Sequence, residues 1–135
     1  MLFNRSVPPC IVIPVVIYPD PGAAADWLCA TFGFTLRLRI ANHRIQMWAG
    51  DGCLVVAEGS VLPNGSQFVM VRVADARAHC EHARNAGARI LAEPKDQPYG
   101  ECQYNAEDFL GHRWAFTQTI ADVDPVSWGG TPVNL

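Results

Sequence analysis

Lysine is almost missing from this chain. Lys95 is the single lysine among ten basic residues, and the other nine are arginines. They form no basic run, and thirteen acidic residues outnumber them, for a net charge of −3. A nucleic-acid binder displaces counterions with a dense row of cations, and a membrane-surface protein meets anionic lipid the same way. Neither nucleic acid nor membrane is therefore expected as a partner. Charged residues are only 17% of the chain against 50% hydrophobic, which excludes a disordered polyampholyte.

Long apolar runs are also absent. The longest, Cys10–Tyr18, carries Pro14 inside it and Pro19 behind it, and falls well short of the roughly 20 residues that cross a bilayer. Only Arg5 precedes it, and Ala23-Ala24-Ala25 follow Pro21 and Gly22 in a helical pattern, which is a poor secretory leader. The run reads as a buried strand of a cytoplasmic protein. The cysteines at 10, 29, 53, 80 and 102 are odd in number and include no CxxC pair, so neither a zinc site nor a disulfide framework is signalled. Reduced, mostly buried thiols are expected. No Ser-His-Asp or Cys-His spacing stands out. Gly50-Asp51-Gly52 precedes a strand rather than a helix, so it is no phosphate loop.

What is present is a weak internal repeat. The 135 residues are one domain's worth of chain. Val15 to Asp20 is an apolar strand ending in Asp, followed by an alanine-rich helix pattern, Ala23 to Phe32, and Gly33. Val69 to Asp75, then Ala76 to Ala86 and Gly87, repeat it about 55 residues later. Each Asp is placed to cap a helix and each Gly to end one in a left-handed turn. After each Gly the period changes to two. Strands are expected at 34–40, 44–49 and 53–58, then at 89–91, 101–107 and 112–119, with a loop at 92–100. Each half thus reads β-α-β-β-β: one module at about 10–58, a linker at 59–66, a second module at about 67–119, and a tail at 120–135. In that tail Asp124-Pro125 opens a short turn that Trp128 docks.

Two such units resemble the vicinal oxygen chelate superfamily, which includes glyoxalase I, extradiol dioxygenases, and fosfomycin- and bleomycin-resistance proteins. The sharpest likeness is Gln97-Pro98-Tyr99-Gly100, Gln103-Tyr104, Glu107-Asp108 and Gly111-His112-Arg113-Trp114, with the tail Ile120–Pro125 and Trp128-Gly129. This likeness is to the glyoxalase/bleomycin-resistance branch and covers about residues 10–130. It implies an α+β fold of two βαβββ modules, a curved mixed sheet with a U-shaped cleft, and a homodimer with two clefts.

Metal-dependent members of that superfamily set four ligands, usually His and Glu, on the cleft side of strands. Carried over by spacing, these positions fall on Ile13, Val56, Val69 and Ala115, or one residue later or earlier on Pro14, Ala57, Met70 and Trp114. A divalent ion needs N, O or S donors, three or four of them. No metal and no cofactor are expected. Bleomycin-resistance-type members act instead by sequestering a ligand in the cleft. The period-two rule adds Val15, Ile17, Leu54, Glu58, Val71, Val73, Arg113 and Thr117 to the same face. The floor reads as aliphatic with polar groups near strand ends. It suits an apolar or aromatic ligand, or is simply filled core.

Several side chains stay open between two roles. Trp48 is a stacking platform or a cover for the sheet edge. Tyr99 and Tyr104 touch ligand or pack the loop. Glu58, alone on an apolar floor, is a weak candidate general base; otherwise it is an exposed strand end or a partner of Arg113. His79 and His82, three apart, read as a solvated polar face of the second helix, not as the zincin pattern. His112 reads as a structural hydrogen bond, His43 as surface, and Trp114 and Phe116 as core. The function expected is metal-free binding of an antibiotic-like small molecule, without catalysis. The alternatives are a glyoxalase- or lyase-type enzyme and a remnant that binds nothing.

Overall fold

Aspartate and glycine punctuate both halves as their chemistry requires. In the computed structural model, which describes residues 2–60 and 67–135, Asp20 caps helix α1 (Pro21–Phe32) by accepting from the Ala23 amide at 3.2 Å. Gly33 ends it at φ 79°, where a side chain would be strained. Asp75 caps α2 (Ala76–Asn85) by accepting from the Ala78 amide at 3.0 Å, and Gly87 follows at φ 109°. Most of the expected linker, residues 61–66, lies outside the described residues.

The strands are β1 (Val15–Tyr18), β2 (Thr35–Ile40), β3 (Arg44–Ala49) and β4 (Gly52–Glu58), then β5 (Phe68–Arg72), β6 (Arg89–Asp96), β7 (Glu101–Glu107) and β8 (Arg113–Thr119). The fold is α+β, and each half is the expected βαβββ unit. The first sheet runs β1-β4-β3-β2 and the second β5-β8-β7-β6. In each, the first strand is parallel to the last and the other pairings are antiparallel. No helix among the described residues is long and apolar enough to cross a membrane. In the tail, Pro125–Trp128 forms a single 3₁₀ turn capped by Asp124.

Two boundaries differ from expectation. The apolar run from Cys10 is strand only from Val15, and Ile11 and Val12 are 95% and 77% exposed. Prolines 8, 9 and 14 lack the N–H that a ladder needs, so this segment becomes an arm instead. Conversely, the loop expected at 92–100 is strand as far as Asp96. Pro94 is tolerated there because β6 is an edge strand, interrupted by two register shifts.

One core joins the two halves. Val16, Tyr18, Ile45, Met47, Leu54 and Val56 line the helix-facing side of the first sheet; Val69, Val71, Tyr104, Trp114 and Phe116 line that of the second. Phe32, at the end of α1, packs against Phe116 at 4.8 Å and Trp114 at 5.6 Å between ring centres. Polar bridges run across the same seam. His79 bonds the Phe32 carbonyl through Nε2 at 2.8 Å and Tyr104 through Nδ1 at 2.6 Å. His82 meets the Ala30 carbonyl, and His112 meets the Ile17 carbonyl at 2.7 Å. The solvated-face reading of His79 is thus corrected: it is half-buried and ties α2 to the end of α1.

A pH dependence follows. Burial holds the His79 pKa below the ordinary histidine value, with the Phe32 carbonyl opposing it and the charge of His82 adding to it. The unfolded chain therefore takes up this proton first as pH falls. Stability is full above about pH 6.5 and declines as pH falls toward the lower folded value. In urea titrations across that window, His79→Gln should flatten the decline. An unchanged slope in the variant would assign the effect to other groups.

Candidate functional site

Each sheet has a side turned away from its helix, and register decides which residues stand there. In a parallel pair, partners in register point the same way. Val15 pairs with Val55 and Ile17 with Ala57, while Val16 and Tyr18, with Val56 and Glu58, take the helix side. Met70 pairs with Ala115 and Arg72 with Thr117, while Val69 and Val71 take the helix side beside Trp114 and Phe116. The open-face set is therefore Val15, Ile17, Cys53, Val55 and Ala57 in the first sheet. In the second it is Phe68, Met70, Arg72, Arg113, Ala115 and Thr117.

The expected face is thus corrected on two strands. Val15, Ile17, Arg113, Ala115 and Thr117 stand on the open face as expected. Val56, Val69 and Val71 do not; they are core, and Val56 is fully buried. The reason is that β4 is buried on both sides from Cys53 to Ala57 and β5 reads Phe-Val-Met-Val. Neither strand alternates polar with apolar, so its phase cannot be read locally. Tyr104 is also corrected to core, at 1% exposure and bonded to His79. Glu58 has helix-side parity and is exposed at the strand end, so the burial its role as a base required is absent. It makes no ion pair with Arg113 among the described residues.

The open face of the first sheet is covered over Gln46 and Val55, while Val15 stays 47% exposed. Residues 4–14 cross it as an arm. The Gln46 side chain donates to the Ser6 carbonyl at 2.8 Å, Arg37 donates to the Arg5 carbonyl at 3.0 Å, and the Val55 amide donates to the Pro14 carbonyl at 2.9 Å. Gln46 is 3% exposed as a result. Ile13 is half-buried in this arm, ahead of β1. Trp48 stands on this face, but the Arg37 guanidinium lies over its ring at 5.6 Å and also bonds Gln46.

The open face of the second sheet carries a different set. Tyr99 packs against Trp128 at 5.0 Å between ring centres, and its hydroxyl donates to Gln103 at 2.6 Å. Gln103 donates to Thr117 at 3.1 Å, and Thr117 donates to Glu101 at 2.7 Å. Arg72 reaches Glu101 at 3.4 Å. Hydroxyls of Thr119 and Thr117, then Arg72, hold the Glu101 carboxyl below the usual range, so it stays ionised. Beside this polar row lie Met70 and Phe68, each more than half exposed, with the small Ala115 buried between strands at 4% exposure. An aromatic wall, a hydrogen-bonding row and an apolar floor thus adjoin. A groove of about 550 Å³ runs alongside, between the β3–β4 hairpin and β5, lined by Cys10, Val12, Cys53, Met70 and Arg72 among others.

This architecture is a known one. The family model described as the glyoxalase/bleomycin resistance protein/dioxygenase superfamily matches residues 11–116. The chain belongs to this superfamily. The crystal structure of TioX from Micromonospora sp. ML1 is 31% identical over 85% of this chain and 100% of that one, with a TM-score of 0.70. A glyoxalase/bleomycin resistance protein from Streptomyces sp. CB03234 is 25% identical over 78% of this chain and 97% of that one, at 0.65. Lactoylglutathione lyase from Agrobacterium tumefaciens, at 13% identity over 82% of this chain and 94% of that one, shares the fold at 0.64. No curated protein matches the chain.

Superfamily membership raises the question of a metal, and the donors answer it. At the paired centres of the two open faces stand Val15 with Val55 and Met70 with Ala115. They offer no nitrogen or oxygen, and one thioether does not hold a divalent ion. The one grouping of three His, Cys, Asp or Glu ligand atoms among the described residues is Cys80, Glu81 and Glu93, beside α2 and β6. Arg84 already bonds both of those carboxylates, so no cation is needed there.

Met70, Phe68, Glu101, Gln103 and Trp128 were not singled out as site residues from the sequence. For two of them a signal existed. Along β7, Glu101, Gln103, Asn105 and Glu107 alternate with Cys102, Tyr104 and Ala106. That alternation already places Gln103 outside and Tyr104 inside.

Proposed function

We propose that this chain is a metal-free binding protein that sequesters an apolar or aromatic, antibiotic-like small molecule on the open face of the second sheet. The observation that carries this reading is the composition of that face: Tyr99 and Trp128 as a stacking wall, Gln103, Thr117 and Glu101 as a polar row, Met70, Phe68 and Ala115 as the floor. Pockets that hold organic ligands have this balance of apolar surface and few placed polar groups. Arg113, at the start of β8, is positioned to meet an anionic substituent. In this reading Trp48 belongs to a ligand site only when the arm and Arg37 leave its ring, whereas Val15 is already half-exposed at the sheet edge. The protein works as a homodimer in the cytoplasm. In support, β1 and β5 each pair on one edge only and bear the half-exposed Val15, Phe68 and Met70.

A thermal-shift screen of purified protein tests this reading. The panel holds aromatic and glycopeptide antibiotics together with Zn²⁺, Ni²⁺, Mn²⁺ and Fe²⁺. An aromatic compound at 100 times its dissociation constant should add about 2.7 kcal/mol of stability, and the metals should add nothing. Tyr99→Ala and Trp128→Ala should each weaken the binding compound about tenfold, the worth of one aromatic contact, while Arg44→Ala leaves it unchanged. A metal shift reversed by chelator, or chemical conversion of the bound compound, would overturn sequestration in favour of an enzyme of the glyoxalase type.

A further inference from the structure

Two thiols line one groove where the arm crosses the first sheet. Cys53 stands on the open face of β4, opposite Trp48, at 8% exposure. Cys10 lies in the arm, half-buried at the rim of the groove, with its sulfur 3.9 Å from the Asp51 carbonyl oxygen. Cys10 and Cys53 line the same groove, and Asp51, whose carbonyl the Cys10 sulfur approaches, lies two residues before Cys53 at the head of the same strand. The other three thiols face different neighbours: Cys29 has Asp26 and Arg39, Cys80 has Arg84 and Glu93, and Cys102 has Asp96. Around the thiol pair the arm is lightly held, since Ile11 and Val12 project into solvent.

We propose that Cys10 and Cys53 form a reversible disulfide that fastens the N-terminal arm over the open face of the first sheet. The oxidant class is a peroxide. Cys10, the more exposed thiol, attacks a peroxide oxygen as its thiolate, and hydroxide leaves to give a sulfenic acid. Cys53 then attacks the Cys10 sulfur, the S–S bond forms, and the sulfenic oxygen departs as water. With hydrogen peroxide the sum is two thiols and one peroxide giving one disulfide and two waters. A small dithiol reverses it by exchange. Burial, then the neighbouring Cys10, pushes the Cys53 thiol up, with Arg37 opposing, so in the second step its proton passes to the departing sulfenic oxygen. Oxidised, the arm is pinned and Gln46, Trp48 and Val55 stay covered. Reduced, the arm is free to lift and uncover them. The inference does not rest on which ligand the second sheet takes.

The test uses the full chain. Protein treated with hydrogen peroxide should lose two hydrogens in intact mass without reductant, and peptide mapping should join residue 10 to residue 53. Hydrogen exchange of residues 2–14 should slow, the Tm should rise by roughly 5–10 °C, and a dithiol should reverse all three changes. Cys10→Ser and Cys53→Ser should each abolish the cross-link; Cys10→Ser also controls for folding, because its side chain is outside the core. Oxidation of Cys10 alone to a sulfinic acid, a cross-link between two chains, or a cross-link that leaves arm exchange unchanged would each overturn the proposal.

Discussion

Asp108→Ala should destabilise the fold by about 3–5 kcal/mol in urea titrations, a large share of the roughly 5–15 kcal/mol that holds a protein folded. The carboxylate is 4% exposed, and both of its oxygens are in use. One oxygen accepts from the amides of Leu110, Gly111 and His112 at 3.0 to 3.1 Å, closing the β7–β8 turn. The other accepts from the Tyr18 hydroxyl at 2.5 Å and the Trp114 indole at 3.1 Å, joining the first half of the chain to the second. Burial, with Asp108 adding to it, pushes the Tyr18 phenol far above its ordinary pKa, so it stays a donor. Alanine leaves two buried donors and a turn without partners, and each unmet group carries its own desolvation cost. An asparagine side chain would satisfy the turn but point its amide nitrogen toward the indole, so Asp108→Asn should fall between. Tyr18→Phe removes one bond and should cost about 1–2 kcal/mol. In a double-mutant cycle the Tyr18 and Asp108 losses should be strongly non-additive. An Asp108→Ala protein within about 1 kcal/mol of the wild type would sink this account of the seam.

Ala115→Arg should weaken the aromatic compound found by thermal shift about 100-fold, near 2.7 kcal/mol. Ala115 stands on the open face between Met70 on one strand and Asn105 on the other. Its methyl group is 4% exposed, so a long side chain there must project past Met70 and Asn105. An arginine there places a charge on the apolar floor beside the polar row. Calorimetric titration reads the affinity, and circular dichroism checks the fold. Wild-type affinity in a folded variant would move the ligand elsewhere, to the groove beside β5 or to the first sheet.

Legibility differed by element in a way that physics accounts for. The helices were readable because Asp20, Gly33, Asp75 and Gly87 act locally: a carboxylate caps the amides three residues on, and glycine reaches the left-handed region. Strand β7 and the inward Trp114 and Phe116 were readable from period two. The internal repeat, with the motif around Gln97 to Trp114, pointed to the superfamily that the family model confirms. The phase of β4 and β5 was not readable, so Val56, Val69 and Val71 were placed on the wrong side. The arm was read as strand because its residues are apolar, although its prolines argued against it.

The sequence by itself determined the two βαβββ units and the order of their elements. These depend on residue type and on neighbours a few positions away. Only the tertiary structure decided three things: which side chains share an open face, that the arm covers one face, and that Asp108 and His79 bind the halves together. Those depend on strand register and on contacts such as Tyr18 with Asp108, 90 residues apart. No local pattern encodes such a contact, because the free energy that selects it comes from burying both halves in one core.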